Sequence, residues 1–461
     1  MFKKILIANR GEVALRILRA CRDLGIQTVA VHSTADAEAM HVRLADESVC
    51  IGSASAAKSY LNTQSILSAA TITGADAIHP GFGFLSENAS FAQMVEDHGF
   101  RFIGPSPHHI AMMGDKITAK TTAVALGLPI VPGSKEGVKD VETARTLAQE
   151  IGYPILIKAS GGGGGRGMQG VLKEESLEEC YHAARSEAQL AFGNPEVYIE
   201  KYLPHPRHIE VQIIADRFGN VATLGERDCS LQRRHQKVWE EAPSPVVDRA
   251  TREALCGKAR EAIKKLGYQG LGTLEFLYQD GEFYFIEMNT RLQVEHPITE
   301  FITGIDLVCE QIRVAAGELL SFTQQDTCLH GHAIECRINA ESPLDFLPSP
   351  GKITSYHAPG GPGIRVDSAL YVGAVVSPHY DSLAAKLIAH GRTRAECLAR
   401  LNRALAEYVV DGIQTLLPFH RTLVQDTRIV AGDYNVKFLE EHAEELRKST
   451  QIILNEGKSP S

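Results

Sequence analysis

The chain lacks the features that mark membrane, secreted and nucleic-acid-binding proteins. No stretch of its 461 residues approaches the roughly 18–20 consecutive apolar residues that cross a bilayer. The first residues, MFKKILIANRGE, have no long apolar segment after their lysines and so do not resemble a signal peptide. The net charge is −9 and no long basic run occurs, whereas duplex binding needs a basic stripe. We expect a cytoplasmic protein that uses neither a membrane nor a nucleic acid as a partner.

The cysteines also lack any organised spacing. There are nine of them, they are scattered, and no two form a CxxC pair. An odd, scattered set argues against a disulfide framework and against a structural zinc site. We expect reduced thiols, as in a cytoplasmic protein. Hydrophobic residues make up 44% of the chain, which is ordinary for a globular protein. The length predicts about two to four domains.

Short apolar runs alternate with helical patterns in the first hundred residues. An apolar run from Lys4 to Ala8 precedes an amphipathic helical spacing, and a second run spans Thr28 to Val31. Such βαβ units build parallel sheets, which predicts a small α/β domain up to about residue 113. The segment 114–203 alternates helices and strands, and 204–330 is strand-rich and then helical. From residue 331 the chain has many Gly and Pro turns, and we expect its last fifteen or so residues to be disordered.

A glycine run follows an apolar strand-like segment in YPILIKASGGGGGRGM. Glycine lets the backbone approach a ligand closely, and consecutive amides form an anion-binding concavity. Lys158 and Arg166 add positive charge at the two ends of the run. These features suit a loop that covers nucleotide phosphates, although a flexible linker is the alternative. The run contains no GxxxxGK[ST] and no strand-GxGxxG-helix context, so neither a P-loop nor a Rossmann cofactor site is expected.

The segment IEMNTRLQVE, residues 286–295, alternates strictly between apolar and polar residues. If it is one extended strand, its five polar side chains line one face, although a half-buried strand with a solvated face is the alternative. The preceding residues predict a β-hairpin with its turn at Asp280-Gly281. A three-residue loop, 280–282, would set Glu275 beside Glu287, whereas a two-residue turn would separate them. We expect the longer loop, and with it two carboxylates and the Asn289 amide suited to Mg²⁺.

Other polar clusters carry weaker signals. Within residues 227–237, RDCSLQRRHQK, a dense positive patch suits phosphate or is simply a solvated loop; it consists of Arg233, Arg234, His235 and Lys237. Arg337 lies among β-type residues and suits an oxyanion or a urea oxygen, with a structural ion pair as the alternative. The strand VYIEKYLP stops at Pro204, where backbone groups could pair with an adenine edge.

Several motifs together resemble a known family. The segments YPILIKASGGGGGRG and FIEMNTRLQVEHP resemble the two signatures of the ATP-grasp superfamily. With IANRGEVALRILRACRDLGI, HPGFGFLSEN, MGDK, ERDCSLQRRHQK and GHAIECRINAE, in this order, the chain resembles the biotin carboxylase subunits of bacterial acetyl-CoA carboxylases up to about residue 445. One departure is Phe82, where family members often carry Tyr in HPGYGF, so any hydrogen bond of that hydroxyl is lost here.

The resemblance implies an α/β and α+β multidomain fold. It divides the chain into an N-terminal βαβ parallel-sheet domain (1–113), an ATP-grasp domain with a mobile glycine-rich lid (114–330, lid about 130–203), a β-rich C-terminal domain (331–446) and a disordered tail (447–461).

The resemblance also implies roles for individual residues. The residues implied to bind ATP are Lys116, Lys158, Gly164, Gly165, Glu200, Lys201, Leu203, His208, Gln232, His235, Glu275 and Glu287. Those implied to bind Mg²⁺ or Mn²⁺ are Glu275, Glu287 and Asn289, and those implied to bind bicarbonate are Lys237, Arg291, Gln293, Val294 and Glu295. Glu295 is implied to be the general base and Arg337 to stabilise the biotin enolate, with Lys237 and Arg291 as further catalytic groups.

The implied reaction is ATP- and bicarbonate-dependent carboxylation of biotin through carboxyphosphate, as the first half-reaction of acetyl-CoA carboxylase in malonyl-CoA and fatty acid synthesis. The AMKM-type motif of biotin carriers does not occur in this sequence, so biotin is expected on a separate carrier protein. The implied partners are that carrier, carboxyltransferase subunits and a second copy of the chain. The alternatives are a different acceptor such as pyruvate or propionyl-CoA, another ATP-grasp ligase, and an inactive regulatory relative.

Overall fold

The chain folds into two compact units. The structure is a computed structural model that describes residues 1–134, 136–159, 168–192 and 194–456, without the side chains of 116, 117, 191 and 192. Unit 1 consists of Met1–Leu128, His208–Glu275 and Glu287–Ser461, and unit 2 of Pro129–Arg207 and Phe276–Ile286. No helix among the described residues combines the length and apolar character needed to cross a membrane.

The N-terminal part of unit 1 is a five-stranded sheet in the order β3-β2-β1-β4-β5, and all neighbouring strands are parallel. Its two faces pack into separate cores, with Leu6 and Val29 on one side and Ile5 and Ile7 on the other. Burial on both faces explains the continuous apolar runs and confirms the predicted parallel-sheet domain. The elements are β1 (Lys4–Ile7), α1 (Gly11–Asp23), β2 (Gln27–Ser33), α2 (Met40–Leu44), β3 (Glu47–Gly52), α3 (Thr63–Thr73), β4 (Ala77–His79), α4 (Ala89–Asp97), β5 (Arg101–Phe102), α5 (Pro107–Gly114) and α6 (Lys116–Ala125).

Unit 2 is built on a three-stranded antiparallel sheet in the order β7-β6-β8. Alternate residues of its strands, such as Ile155 and Ile157, are fully buried against Leu177 and Tyr181 of a helix. The elements are α7 (Val141–Ile151), β6 (Ile155–Ala159), β7 (Met168–Val171), α8 (Leu177–Phe192) and β8 (Val197–Lys201). The glycine run from 161 to 167 lies outside the described residues.

An eight-stranded sheet in the order β13-β12-β9-β10-β11-β14-β19-β17 continues across the predicted boundary at 330/331. The central elements are β9 (Arg207–Ala215), β10 (Val221–Arg233), β11 (Gln236–Ala242), α9 (Arg249–Leu266), β12 (Gly270–Gln279), β13 (Glu282–Asn289), α10 (His296–Thr303) and α11 (Leu307–Ala315). Strand β11 pairs antiparallel with β14, so the central and C-terminal segments share one sheet.

The C-terminal segment packs helices against this sheet around Trp239, Leu387 and Leu401. Its elements are β14 (His332–Asn339), β15 (Gly351–Lys352), β16 (Ser355–His357), β17 (Ile364–Ser368), β18 (Val375–Val376), β19 (Leu383–Gly391), α12 (Arg394–Glu407), β20 (Val409–Asp411), α13 (Leu417–Leu423), α14 (Thr427–Ala431), α15 (Phe438–Glu441) and α16 (Ala443–Glu456). Four short 3₁₀ turns complete the described structure, at Thr34–Asp36, Ala56–Lys58, Glu174–Ser176 and Gln324–Asp326.

The predicted disordered tail at 447–461 is wrong for residues 447–456. Helix α16 covers them, and it buries Leu446, Thr450 and Ile453. These three residues follow the spacing of one helix face, and Thr450 Oγ1 lies 2.9 Å from Thr422 Oγ1 of α13. Residues 457–461 lie outside the described residues.

Two local predictions around the hairpin are also wrong. The loop between β12 and β13 is the two-residue turn Asp280-Gly281, not 280–282, and both residues have positive φ, 54° and 86°. This is the backbone that an Asp-Gly hairpin turn favours. The extended segment does not continue to Glu295, because β13 ends at Asn289 and Glu295 caps α10, which has Pro297 in its first turn.

Candidate active site

Unit 1 gathers most of the predicted site residues on neighbouring strands of the large sheet and on the loop that precedes α10. Strands β9 to β14 carry His208, Gln232, Lys237, Glu275, Glu287, Asn289 and Arg337. The loop and the cap of α10 carry Arg291, Gln293, Val294 and Glu295.

Lys237 is the centre of this arrangement. Its ammonium lies 2.6 Å from Glu210, 3.0 Å from Glu275 and 2.6 Å from Glu295. Burial by itself lowers the pKa of Lys237, but the three carboxylates outweigh it and raise that pKa well above the ordinary value. Lys237 is therefore a permanent cation that holds three carboxylates together, one of which is the predicted base.

Glu295 lies between two cations. One oxygen accepts from Lys237 and the other from Arg337 Nη2 at 3.0 Å. Burial raises the pKa of Glu295, but Lys237, Arg337 and, more weakly, Arg227 lower it well below the ordinary value. Glu295 is consequently a stable anion in this arrangement.

Glu275 is buried among donors. Its Oε1 accepts from Lys237, from Asn289 Nδ2 at 2.8 Å and from Gln293 Nε2 at 2.9 Å. His208 Nε2 lies 3.0 Å from Oε2. Burial raises the pKa of Glu275, but Lys237 and His208 lower it well below the ordinary value. A permanently ionised carboxylate suits a hard divalent cation.

The predicted metal ligands are only partly brought together. Ligand atoms of His208, Glu210 and Glu275 lie within 4.8 Å of one another, and Asn289 contacts Glu275 directly. Glu287, in contrast, has an exposed side chain on β13. The donor set at Glu275 is rich in oxygen and therefore fits Mg²⁺ or Mn²⁺. Among the described residues, Glu287 is not part of this cluster.

Arg227 of β10 is hydrogen-bonded to residues of this cluster, and it was not among the predicted site residues. All of its guanidinium nitrogens donate, and the residue is fully buried. Its partners are Glu210 at 2.5 Å, Gln212 at 2.6 Å, Gln293 at 2.6 Å, Thr299 at 2.9 Å and Thr273 at 3.3 Å. Arg227 thereby fixes both Glu210, which contacts Lys237, and Gln293. A single charge in the apolar run HIEVQII, Glu210, was the signal that could have revealed this pair.

Arg291 is oriented by a residue distant in sequence. Its Nε donates to Glu87 at 2.8 Å and its Nη2 to Asn289 Oδ1 at 2.9 Å. Glu87 also accepts from the backbone N–H of Thr290 at 3.1 Å, which fixes the chain where β13 ends. Glu87 belongs to the HPGFGFLSEN motif and was not predicted to be a site residue.

Arg337 contacts Glu240 through Nε at 2.6 Å and Glu295 through Nη2 at 3.0 Å. Among the described residues its Nη1 has no hydrogen-bond partner. Arg337 lines a cavity of about 310 Å³, together with Lys237, Val294, Arg10 and Tyr380. Arg10 stacks over the Tyr380 ring at 4.2 Å. The cavity wall also includes Phe82, which has no hydroxyl to offer a ligand.

The remaining unit 1 predictions lie at the edges of this region. Gln232 is buried and donates to Cys229 O at 2.8 Å. His235 is exposed in the two-residue turn between β10 and β11, with φ of 64°. Lys116 is the first residue of α6, and its side chain lies outside the described residues.

Unit 2 holds further residues that are predicted to bind ATP. Lys158 Nζ lies 2.5 Å from Glu200 Oε2. Lys201 Nζ donates to the carbonyls of Gly152 and Tyr153 at 2.8 and 3.1 Å. Leu203 is half-buried just beyond the end of β8. Gly164 and Gly165 lie outside the described residues.

Comparison with known proteins identifies relatives along nearly the whole chain. Residues 1–110 match the family described as biotin carboxylase, N-terminal domain, and residues 335–441 match the biotin carboxylase C-terminal domain. Residues 115–323 match the family described as carbamoyl-phosphate synthase L chain, ATP binding domain.

Individual relatives agree with these families. The biotin carboxylase of Pseudomonas aeruginosa is 56% identical over 95% of this chain and 98% of its own. A pyruvate carboxylase subunit of Methanothermobacter thermautotrophicus is 51% identical over 99% of this chain and 94% of its own. The biotin carboxylase domain of a thermophilic 2-oxoglutarate carboxylase, solved with bicarbonate, has a TM-score of 0.92 at 46% identity and covers 97% of this chain and 99% of its own.

Proposed function

Because the chain belongs to the biotin carboxylase family, we propose that it uses ATP to transfer the carbon of bicarbonate to N1 of biotin. The observation that carries the proposal is Glu295, held between Lys237 at 2.6 Å and Arg337 at 3.0 Å. Lys237 and Arg337 also line the cavity. A base, an anion-binding lysine and a guanidinium thus meet where a bicarbonate and a small cyclic urea can be brought together.

The first step joins bicarbonate to the γ-phosphate. A bicarbonate oxygen forms a bond to the phosphorus, the bond to ADP breaks, and carboxyphosphate results. The residues proposed to hold ATP are Lys116, Lys158, Gly164, Gly165, Glu200, Lys201, Leu203, His208, Gln232, His235, Glu275 and Glu287. Mg²⁺ or Mn²⁺ held by Glu275, Glu287 and Asn289 would neutralise charge on the phosphates.

Bicarbonate is proposed to bind at Lys237, Arg291, Gln293 and Val294, with Glu295 as the base that removes its proton. The pKa of Glu295 is low because Lys237 and Arg337 outweigh the effect of its burial. When an anion engages these cations, they neutralise Glu295 less, and the pKa of Glu295 rises toward the range that a base needs. Binding of the substrate therefore activates the base.

In the second step carboxyphosphate decays to CO₂ and phosphate in a closed site, which excludes water that would otherwise hydrolyse it. The phosphate takes the N1 proton of biotin, and the enolate nitrogen attacks CO₂. The role of Arg337 is to stabilise the enolate oxygen, because a guanidinium offers two parallel donors to one oxyanion. Its Nη1 has no partner among the described residues and is the donor available for this oxygen.

Biotin is proposed to arrive on a separate carrier protein, and carboxyltransferase subunits to pass the carboxyl group to acetyl-CoA. The chain is proposed to work as a homodimer in the cytoplasm. A dimer is named for the solved biotin carboxylase domain of a 2-oxoglutarate carboxylase. Pyruvate is the second candidate acceptor. The alignment to the Methanothermobacter pyruvate carboxylase subunit extends over 459 residues, compared with 441 for the Pseudomonas biotin carboxylase.

The test is ATP hydrolysis by the purified chain with Mg²⁺ and bicarbonate, with and without free biotin. We expect biotin to raise the rate, and Glu295→Ala and Arg337→Ala each to abolish this increase, a loss of about 10²-fold or more. Glu253→Ala, an exposed residue of α9 paired with Arg249, is the matched control and should behave as the wild type. Bicarbonate-dependent hydrolysis that ignores biotin would instead indicate an ATP-grasp ligase for another nucleophile.

A further inference from the structure

Two buried carboxylates lie opposite each other on neighbouring strands of the large sheet, and only one of their four oxygens accepts a hydrogen bond from a cation among the described residues. Glu240 of β11 and Glu335 of β14 are directly paired in the antiparallel register, and both are fully buried. Directly opposed residues point to the same face, with their Cβ atoms about 4.5–5.5 Å apart. Two ionised carboxylates at this spacing repel each other strongly in a buried environment.

Glu240 and Glu335 differ in the hydrogen bonds that they accept. Glu240 Oε1 accepts from Arg337 Nε at 2.6 Å, whereas Glu240 Oε2 has no partner among the described residues. Both oxygens of Glu335 are buried and also lack a partner among those residues. Three neighbouring carboxylate oxygens are thus unsatisfied, and a single proton on Glu335 would satisfy two of them at once.

We propose that Glu335 is protonated at neutral pH and donates its O–H to Glu240 Oε2, and that this acid pair is the positioning device for Arg337. Glu240 is the more readily ionised of the two because Arg337 contacts it. The proton on Glu335 limits the pair to one negative charge, so that Arg337 can be shared with Glu295 rather than drawn fully into the sheet. This proposal rests on the proposed role of Arg337 toward biotin.

The charges around the pair agree with this assignment. The groups that face it are Arg337, Glu295, Lys237 and Lys386. Lys386 Nζ donates to the carbonyl of Val294 at 2.7 Å and lies 3.4 Å from Glu12. Burial, only partly opposed by Lys386, raises the pKa of Glu335 well above the ordinary value. Burial likewise raises the pKa of Glu240 to about 7, with Arg337 opposing.

Infrared difference spectroscopy tests for the proton directly. A Gln at 335 offers a permanent N–H donor in place of the O–H, so Glu335→Gln should fold while losing the carbonyl band of a protonated carboxylic acid at neutral pH. Glu310→Gln is the matched control, because Glu310 is a buried carboxylate bonded to Arg313 and Ser321. Loss of the acid band in Glu335→Gln alone supports the pair, and absence of that band from the wild type overturns it.

Kinetics test the positioning role. Glu240→Gln replaces an anionic acceptor by a neutral one, and we expect the biotin-stimulated part of ATP hydrolysis to fall about tenfold. The bicarbonate-dependent rate without biotin should fall much less, whereas a merely structural loss lowers both rates together. Equal losses, or an unchanged biotin-stimulated rate, overturn the positioning role. If Arg337→Ala leaves biotin stimulation intact, the proposed function itself fails, independently of the infrared result.

Discussion

The two faces of strand β11 hold neighbouring glutamates whose pKa values are shifted in opposite directions. Glu240 and Glu241 are both fully buried. Glu241 accepts from His332 at 2.6 Å, from Arg394 at 2.6 and 3.0 Å, and from the hydroxyl of Tyr434. Among the described residues, Glu240 accepts a side-chain hydrogen bond from Arg337 alone.

The pKa values diverge accordingly. Burial raises the pKa of both groups, but the hydrogen bonds from His332 and Arg394 overcome it at Glu241 and lower its pKa below the ordinary value. At Glu240 burial dominates and the pKa rises to about 7. The lesson is that burial alone does not decide the charge of a carboxylate, whereas the number of donors aimed at it does. On one face, Glu241 connects β11 to β14 and α12 through His332 and Arg394. On the other face, Glu240 contacts Arg337, which lines the cavity.

The largest expected effect comes from removing the charge of Glu241, whose oxygens accept several hydrogen bonds. Glu241→Gln leaves the Arg394 guanidinium without its anion in a largely buried position. We expect the free energy of unfolding to fall by about 3–5 kcal/mol. Thermal unfolding followed by circular dichroism measures this change. A loss as small as that of the exposed-site variant Glu253→Ala would contradict the contrast between the two faces.

The second-largest expected effect is on the pH dependence of stability, which should differ between the two faces of β11. The pKa values of Glu240 and Glu335 are both raised, so the contribution of the proton that this pair holds is full below the ordinary carboxyl pKa and is lost as pH rises. For Glu240, whose pKa is about 7, the effect is about 3 kcal/mol. The lowered pKa of Glu241 has the opposite consequence, because its contribution is present above the ordinary pKa and is lost as pH falls.

Melting temperatures across pH, compared between wild type, Glu335→Gln and Glu241→Gln, measure both effects. Glu335→Gln should flatten the alkaline decline, and Glu241→Gln should flatten the acid decline. If both variants keep the wild-type profile, the two carboxylates do not titrate as the contacts imply.

The smallest effect is expected from Tyr434→Phe. This change removes one hydroxyl donor to Glu241 but leaves the donors from His332 and Arg394. We expect the free energy of unfolding to fall by about 1.5–3 kcal/mol, because hydrogen bonds to charged groups contribute this much. The corresponding loss measured by chemical denaturation should be well below that of Glu241→Gln. An equal loss would show that the tyrosine, not the charge, holds this face.

The regular parts of the fold could be predicted from the sequence, since they depend on local periodicity. The parallel strands of the N-terminal sheet, such as Lys4–Ile7 and Gln27–Ser33, follow apolar runs that need no tertiary information. The end of β13 could have been predicted too, because Pro297 signals a helix start that an extended segment to Glu295 ignores. The helix at 443–456 was missed although Leu446, Thr450 and Ile453 have helical spacing.

Some residues of the cluster could be predicted from sequence motifs, but their supporting contacts could not. Lys237, Glu275 and Glu295 lie in recognisable motifs, and the structure places the Lys237 ammonium within 3.0 Å of both carboxylates. Arg227, Glu210 and Glu87 were missed because their roles depend on pairings across 17 to 204 residues of sequence. The single charge of Glu210 in an apolar run is a local signal, but it does not name the partner, because these contacts form only when the strands are aligned.

The chain contains one tryptophan, Trp239, which lies on β11 immediately before Glu240. It is fully buried and pairs with Cys336 of β14. Any tryptophan emission from the protein therefore originates from a single indole beside Glu240 and two residues from Lys237. The native polypeptide thus carries a single optical reporter on this strand, which needs no attached dye.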